Sequence, residues 1–274
     1  MVSGGGHARS DRVAARRVQS ARARPISQGQ AEPLTDRVPR SELVDLVGAT
    51  TLERISAAPA FNRWMFDRLR RWVGRRVLEV GAGIGNLSQF LADRERVALS
   101  DTEAYYLARL RERFAGRANI AVVELRLPDS GRGLAAERFD TIVCLNVLEH
   151  IEDDVTSLRS MRALLQPGGR LVLLVPALPA LYGTLDEALG HFRRYRPAEL
   201  AAKFTDAGFR LAHVEYFNLA GVLGWWLIGR VLRRRLIPRG ALKWYDALVP
   251  LFRLETLLPW RIGQSLIAIG EVPS

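Results

Sequence analysis

Cysteine occurs once in the 274 residues, at position 144, which excludes an internal disulfide and any cysteine-rich metal site. The four histidines, His7, His150, His191 and His213, show no metal-ligand spacing, so no metal is expected, and the lone thiol fits a reducing, cytoplasmic compartment. Membrane-spanning runs are missing too. The apolar stretch Leu219 to Gly229, LAGVLGWWLIG, is far shorter than the roughly 20 residues a spanning helix needs. Near the start of the chain no apolar segment forms a secretory signal. No recognised nucleic-acid motif is found, and the aromatics fall at core spacing rather than between arginines.

What is present is positive charge, +11 net, which favours anionic partners such as phospholipid surface, phosphorylated substrate or nucleic acid. With 48% hydrophobic residues the chain can bury one sizeable α/β core. Residues 1–40 combine Gly4, Gly5 and Gly6 with eight arginines against three acids. They read as a disordered basic tail whose composition resembles an organellar transit peptide. A catalytic domain is expected over 41–274, opened by a helix carrying Phe61, Trp64, Met65, Leu69 and Trp72 at helical spacing.

The chain is organised around VLEVGAGIG, Val77 to Gly85. Val77, Leu78 and Val80 read as a buried parallel strand. Gly81, Gly83 and Gly85 form a turn that lets backbone approach a ligand, and a helix is expected to open at Asn86 and run to Arg94. A dinucleotide fingerprint would need glycine at position 86, where this chain has Asn86. Glu79 beside the turn would repel a pyrophosphate and suits a positively charged ligand, such as S-adenosylmethionine with its ammonium and sulfonium. The spacing E-x-G-x-G-x-G resembles motif I of the class I S-adenosylmethionine-dependent methyltransferases.

Further strands are expected at Arg96 to Leu99, Ile120 to Leu125, Phe139 to Asn146, Leu171 to Pro176, Phe209 to Asn218 and Ser265 to Val272. The fold expected is therefore α/β, a Rossmann-like doubly wound seven-stranded sheet. Asp101, after the second strand, fits the acid that holds ribose hydroxyls. The resemblance places an adenine-binding aspartate after the third strand, where this chain has Arg126, with Asp129 as the nearest substitute. NVLEH, which includes Asn146, Glu149 and His150, and the Pro167-Gly168-Gly169 turn resemble motif IV and its following turn. Glu152, Asp153 and Asp154 are expected to complement the dipole of the intervening helix, with Val155, Leu158 and Leu165 on its buried face. Cys144 and His213 read as structural.

LDEALGHFRRY, Leu185 to Tyr195, resembles a D-x-x-x-G-H-x-R-R-Y signature in a bacterial subgroup of these methyltransferases. The resemblance implies a substrate side formed by Asp186, Arg193, Arg194 and Tyr195, with His191 or His150 as base and the arginines clamping an anionic group. Cofactor binding falls to Glu79, Gly81, Gly83, Gly85, Asp101 and Asn146. The reaction implied is methyl transfer to oxygen or nitrogen of a small polar natural product, an amino sugar or glycoside. The alternatives are a lipid-linked saccharide at the inner membrane face and, from another class, a basic nucleic-acid-binding protein with a vestigial methyltransferase fold. A helical insertion at about 219–260 separates the last two strands. It reads either as a lid burying Trp225 and Trp226, with a second helix near Tyr245 to Leu258, or as a peripheral membrane contact with Arg230, Arg233, Arg234 and Arg235 at its basic end.

Overall fold

A computed structural model describes residues 40–128, 131–257 and 261–274. The basic tail over 1–39 and Asp129 lie outside the described residues. Seven strands, β1 (Arg76–Val80), β2 (Arg96–Asp101), β3 (Ile120–Glu124), β4 (Phe139–Leu145), β5 (Leu165–Pro176), β6 (Arg210–Phe217) and β7 (Ser265–Glu271), form one sheet in the order β3-β2-β1-β4-β5-β7-β6. β1 to β5 run parallel, and β7 pairs antiparallel with both β5 and β6. The order reverses between β1 and β4, so the crevice at their carboxyl ends is the switch point where ligands bind in such sheets.

Alternation along the strands builds two cores. One face carries Leu78, Val80, Ile142, Cys144, Leu171 and Leu173 against α4 (Asp154–Leu164) and α6 (Pro197–Asp206). The other carries Val77, Val97, Leu99, Val143 and Ile267 against α2 (Pro59–Leu69), α3 (Ala104–Arg113) and α8 (Arg239–Phe252). Trp64 and Leu69 fill the second core, while the last turn of the expected helix, Arg70–Trp72, tightens to a 3₁₀ turn. α1 (Arg40–Ser56) precedes α2 and lies over the glycine turn, where the Asn86 amide donates to Leu52 O at 3.0 Å.

Local signals set the helix ends. Asp153 caps α4 by accepting from Thr156 N at 3.0 Å. Pro197 opens α6, and Gly208 in the left-handed region follows its end. Leu158 is buried in α4 as the pattern requires, but Val155 is only half-buried and Leu165 already belongs to β5. Asp154 does not merely complement the helix dipole; it is buried and receives Tyr195, Lys203 and Arg193.

One expected helix does not form. After the glycine turn the chain makes successive three-residue turns, with Phe90 N on Leu87 O and Leu91 N on Ser88 O. The Gln89 side chain donates to Asn86 O at 2.6 Å, the carbonyl a helix would offer to Phe90 N. With β2 beginning at Arg96, little length is left for a helix to recover.

Candidate functional site

The turn after β1 has all three glycines in the left-handed region, φ 71° at Gly81, 55° at Gly83 and 81° at Gly85. A Cβ on Gly81 would stand 2.3 Å from Val147 Cγ2, so backbone is packed against the chain leaving β4. On Gly83 it would meet Leu52 of α1 at 3.0 Å. The space above that glycine is therefore bounded by a helix the sequence did not announce as part of the site.

Glu79 is buried beneath the turn, and its Oε2 has no hydrogen-bond partner. Burial pushes its carboxyl up to about 7, with the Ser88 hydroxyl beside it offsetting part of that rise and Asp101 adding to it. Asp101 ends β2 with Oδ2 accepting from Gly83 N at 2.9 Å and Oδ1 accepting from Thr102 N at 2.8 Å. Its contact with Gly83 ties the acid to the rim of the turn. Arg126 is exposed one residue beyond Leu125, whose N–H bonds Asp101 O at 3.2 Å.

The chain leaves β4 through Asn146, exposed with φ 53°, and then buries Glu149 completely. Neither Glu149 carboxylate oxygen has a hydrogen-bond partner, and burial pushes the group up to about 7 against the pull of His191 and Arg194. His150 is an exposed residue whose ring meets the His191 ring edge-on at 4.7 Å between centroids.

The D-x-x-x-G-H spacing is the C-terminal end of a short helix, α5 (Thr184–Leu189). Gly190 adopts φ 75°, and this left-handed residue turns the chain so that His191 N–H reaches Asp186 O at 2.9 Å. The imidazole is thereby swung back to the Asp186 side chain, with Nδ1 3.0 Å from Oδ1. Nε2 is left on the side of Glu149, 4.0 Å from its Oε1. Burial raises the Asp186 carboxyl, and hydrogen bonds from His191, the Arg194 guanidinium and Trp225 more than reverse it, leaving it below the ordinary range.

The remaining signature residues bond within the protein. Arg194 is buried, donating to Asp186 Oδ1 at 2.7 Å and to Ala177 O at 2.8 Å. Arg193 is tied to Asp154 Oδ2 at 2.9 Å and Glu152 O at 2.9 Å. Tyr195 is a core residue whose hydroxyl donates to Asp154 Oδ2 at 3.1 Å. Both guanidiniums are held by the protein, Arg193 on Asp154 and Arg194 on Asp186, while Arg194 Nη2 is buried with no hydrogen-bond partner, and Asp186 orients His191. Sequence spacing likewise hid a grouping, for Glu149, His150 and His191 bring their ligand atoms within 4.8 Å of one another. The sequence argument against metal ligation rested on dispersion that the fold removes.

Trp225 was expected only as part of a lid or a membrane face, and it joins the site. It ends α7 (Leu219–Trp225), donates Nε1–H to Asp186 Oδ2 at 3.0 Å and lies under the Arg194 guanidinium at 4.9 Å. Its neighbour Trp226 begins a π-helical segment and stays exposed at 47%. Of the two tryptophans, then, only one faces inward. α8 packs on the sheet face opposite α4 and α6, with Tyr245 against Phe61 of α2 and against Phe252, and Leu258 lies outside the described residues.

Comparison with known proteins agrees with this architecture. A family described as "Methyltransferase domain" matches residues 78–171. The ubiquinone biosynthesis O-methyltransferase of Pseudomonas paraeruginosa is 30% identical over 182 residues, 57% of this chain and 73% of that protein. The chain belongs to the class I S-adenosylmethionine-dependent methyltransferases. The protein of the same name from Xanthomonas euvesicatoria pv. vesicatoria is 34% identical over 161 residues, and this methyltransferase chain spans 65% of its length. Among solved structures, an S-adenosylmethionine-dependent methyltransferase from Mesorhizobium loti aligns over 76% of this chain and 97% of its own, with 16% identity and a TM-score of 0.53. The N-methyltransferase NodS from Bradyrhizobium japonicum, solved with S-adenosyl-L-homocysteine, aligns over 77% of this chain and 85% of its own, with 17% identity and a TM-score of 0.50. These likenesses establish the fold. The turn fits the family's cofactor: three glycines take left-handed φ there, and a buried carboxylate oxygen with no partner sits beneath it, able to meet positive charge.

Proposed function

We propose that this methyltransferase chain moves a methyl group from S-adenosylmethionine to a hydroxyl oxygen of an amphipathic acceptor, such as a lipid-linked saccharide, presented at an anionic membrane surface. The observation that carries the reading is the cluster of Glu149, His150 and His191, anchored on Asp186, with Glu149 and His150 leaving β4 at the same carboxyl end of the parallel strands as the glycine turn. The cofactor supplies an activated methyl on a sulfonium. What the chain must add is alignment, exclusion of water and a place for the acceptor's proton. Glu79 and the glycine turn would hold the cationic methionine end, and Asp101 the ribose. Asp186 fixes the His191 ring, and the cluster is placed to take the hydroxyl proton as the oxygen attacks.

An oxygen acceptor is favoured by the relatives named O-methyltransferases. The membrane setting is favoured by the outer face of the insertion, where Leu223, Trp226, Leu227, Val231 and Leu232 are exposed beside Arg230, Arg233, Arg234 and Arg235. On α8, Trp244, Leu248 and Leu251 are exposed at helical spacing, Trp244 by 75%, while Tyr245, Val249 and Phe252 form the packed stripe. Apolar surface ringed by arginine suits the headgroup region of anionic lipid. No helix among the described residues is long and apolar enough to cross a membrane.

The test is transfer of tritium from methyl-labelled S-adenosylmethionine to hydroxylated lipids in phosphatidylglycerol vesicles. Label should enter the lipid phase in an alkali-stable linkage and depend on the vesicles. Transfer only to water-soluble amino sugars, indifferent to vesicles, would refute the reading.

A further inference from the structure

We infer that Trp225, supplied by the insertion before the last strand, is a positioning residue for methyl transfer: it locks the Asp186 carboxylate, and through it the His191 ring, so that Nε2 is presented to the acceptor. This rests on reading His191 as the group that takes the acceptor's proton.

Asp186 is fully buried, and each of its two oxygens meets two donors. Oδ1 accepts from Arg194 Nε at 2.7 Å and stands 3.0 Å from His191 Nδ1, while Oδ2 accepts from Gly183 N at 3.1 Å and from Trp225 Nε1 at 3.0 Å. An ionised carboxylate only accepts, so the neutral imidazole carries its proton on Nδ1 and keeps the lone pair on Nε2. That is the tautomer a base needs. Gly183, His191 and Arg194 belong to the same stretch of chain as Asp186 and move with it. Trp225 comes from α7, 39 positions away, which starts where β6 ends and is capped there by Asn218 accepting from Gly221 N at 2.7 Å. The indole thus ties the carboxylate to an element rooted on the sheet. Its ring also carries the Arg194 guanidinium at 4.9 Å, so one side chain steadies both the carboxylate and the arginine that shares Oδ1 with His191.

The insertion grips the His191 segment at further points. Thr184 Oγ1 lies 2.9 Å from Gly229 O and 2.8 Å from Arg234 O, and Arg230 Nη1 donates to Tyr182 O at 2.9 Å. Tyr182 in turn donates its hydroxyl to His191 O at 2.7 Å. The π-helical turn Trp226–Val231 makes this reach possible: Leu232 N pairs with Leu227 O and Arg234 N with Ile228 O, and Gly229 O is left to Thr184. The approach is close, since a Cβ on Gly183 would stand 3.0 Å from Gly229 O. A base held this way is in place before the acceptor arrives. Displacing it by about 1 Å costs on the order of 100-fold in rate, with binding little changed.

The experiment compares the natural full chain with Trp225→Phe, which keeps a ring against Arg194 and removes the indole donor. Two readouts are taken: the His191 Nδ1 proton in the proton–nitrogen magnetic resonance spectrum of the histidine rings, assigned by its loss in His191→Gln, and kcat and KM for tritium transfer to hydroxylated lipids in phosphatidylglycerol vesicles. Trp225→Phe should broaden or abolish the Nδ1 resonance and lower kcat by about 10-fold or more, with KM and affinity for S-adenosyl-L-homocysteine changed by less than about two-fold. Thr184→Val loosens the insertion by a second route should Trp225→Phe not fold; it should broaden the same resonance, and Thr184→Ser should restore it. An unchanged resonance or an unchanged kcat in folded Trp225→Phe would overturn the inference, as would a fall in kcat matched by an equal loss of cofactor affinity, which marks general loosening. A natural chain that methylates no hydroxylated lipid would overturn the proposed function instead, and the Nδ1 resonance in Trp225→Phe and Thr184→Val would then decide the positioning role by itself.

Discussion

At the scale of single residues, buried carboxylates set the pH behaviour. Glu79 titrates near 7 instead of 4.5 because burial disfavours its charge. The folded state thus favours the protonated form: its contribution to stability is complete below about 4.5 and is lost as pH rises through about 7. Glu79→Gln should therefore gain stability over the natural chain between pH 5 and 8, by up to about 3 kcal/mol, in thermal unfolding monitored by circular dichroism. An equal pH profile in the two proteins would show that Glu79 is not held protonated. Cofactor binding runs the other way, since an ammonium beside Glu79 favours its ionised form. Affinity for S-adenosyl-L-homocysteine should rise with pH through about 7 and flatten in Glu79→Gln. His191→Ala should cost turnover on the order of 100-fold while leaving cofactor affinity unchanged; near-normal turnover would return His191 to a structural role. The resemblance to a signature put Asp186, Gly190 and His191 together in the sequence, and the helix end that joins them, with Gly190 turning His191 back to Asp186, came only with the structure. What the sequence hid was the fate of Arg193 and Arg194. The Arg193 partner Asp154 lies far along the chain, Arg194 pairs with nearby Asp186 but also with Ala177 O, and burial has no local signature in a run of charged residues.

Among the elements, strands and their order were legible because apolar alternation and glycine or proline punctuation are properties of short windows. The helix expected after Gly85 was misread for a reason of the same kind: the apolar spacing permits it, but the Gln89 side chain takes the Asn86 carbonyl, and β2 follows at once. The covering of the glycine turn by α1 was not legible, since Leu52 meets Gly83 across a gap in sequence that no pattern links. The contact of β4 with the turn gives a sharp test. Gly81→Ala forces a side chain into φ 71° and sets a Cβ 2.3 Å from Val147 Cγ2. It should destabilise by at least about 1–3 kcal/mol from backbone strain alone. Adding Val147→Ala should restore only the steric part, measured by denaturant unfolding of the single and double variants. Full restoration would place all the cost in the overlap and none in the backbone.

For the whole molecule, the insertion joins the site to a surface. Trp225 bonds Asp186 from within while Trp226, next in the chain, faces outward with exposed leucines and arginines. The eleven apolar residues were readable as a lid or as an interface, and their two sides serve differently, which a one-dimensional pattern could not separate. Binding to phosphatidylglycerol vesicles should be salt-sensitive, should blue-shift tryptophan emission, and should weaken in Trp226→Ser and in the triple change of Arg233, Arg234 and Arg235 to Ser. Unshifted emission at low salt would confine the insertion to a lid. The central claim, that the carboxyl end of this sheet serves S-adenosylmethionine, is tested most directly by calorimetric titration with S-adenosyl-L-homocysteine beside NAD. The chain should bind the former with a Kd on the order of micromolar, ignore the latter, and lose binding in a folded Gly83→Arg variant. A folded natural chain that takes up no S-adenosyl-L-homocysteine, or a Gly83→Arg variant that binds it unchanged, would contradict the account.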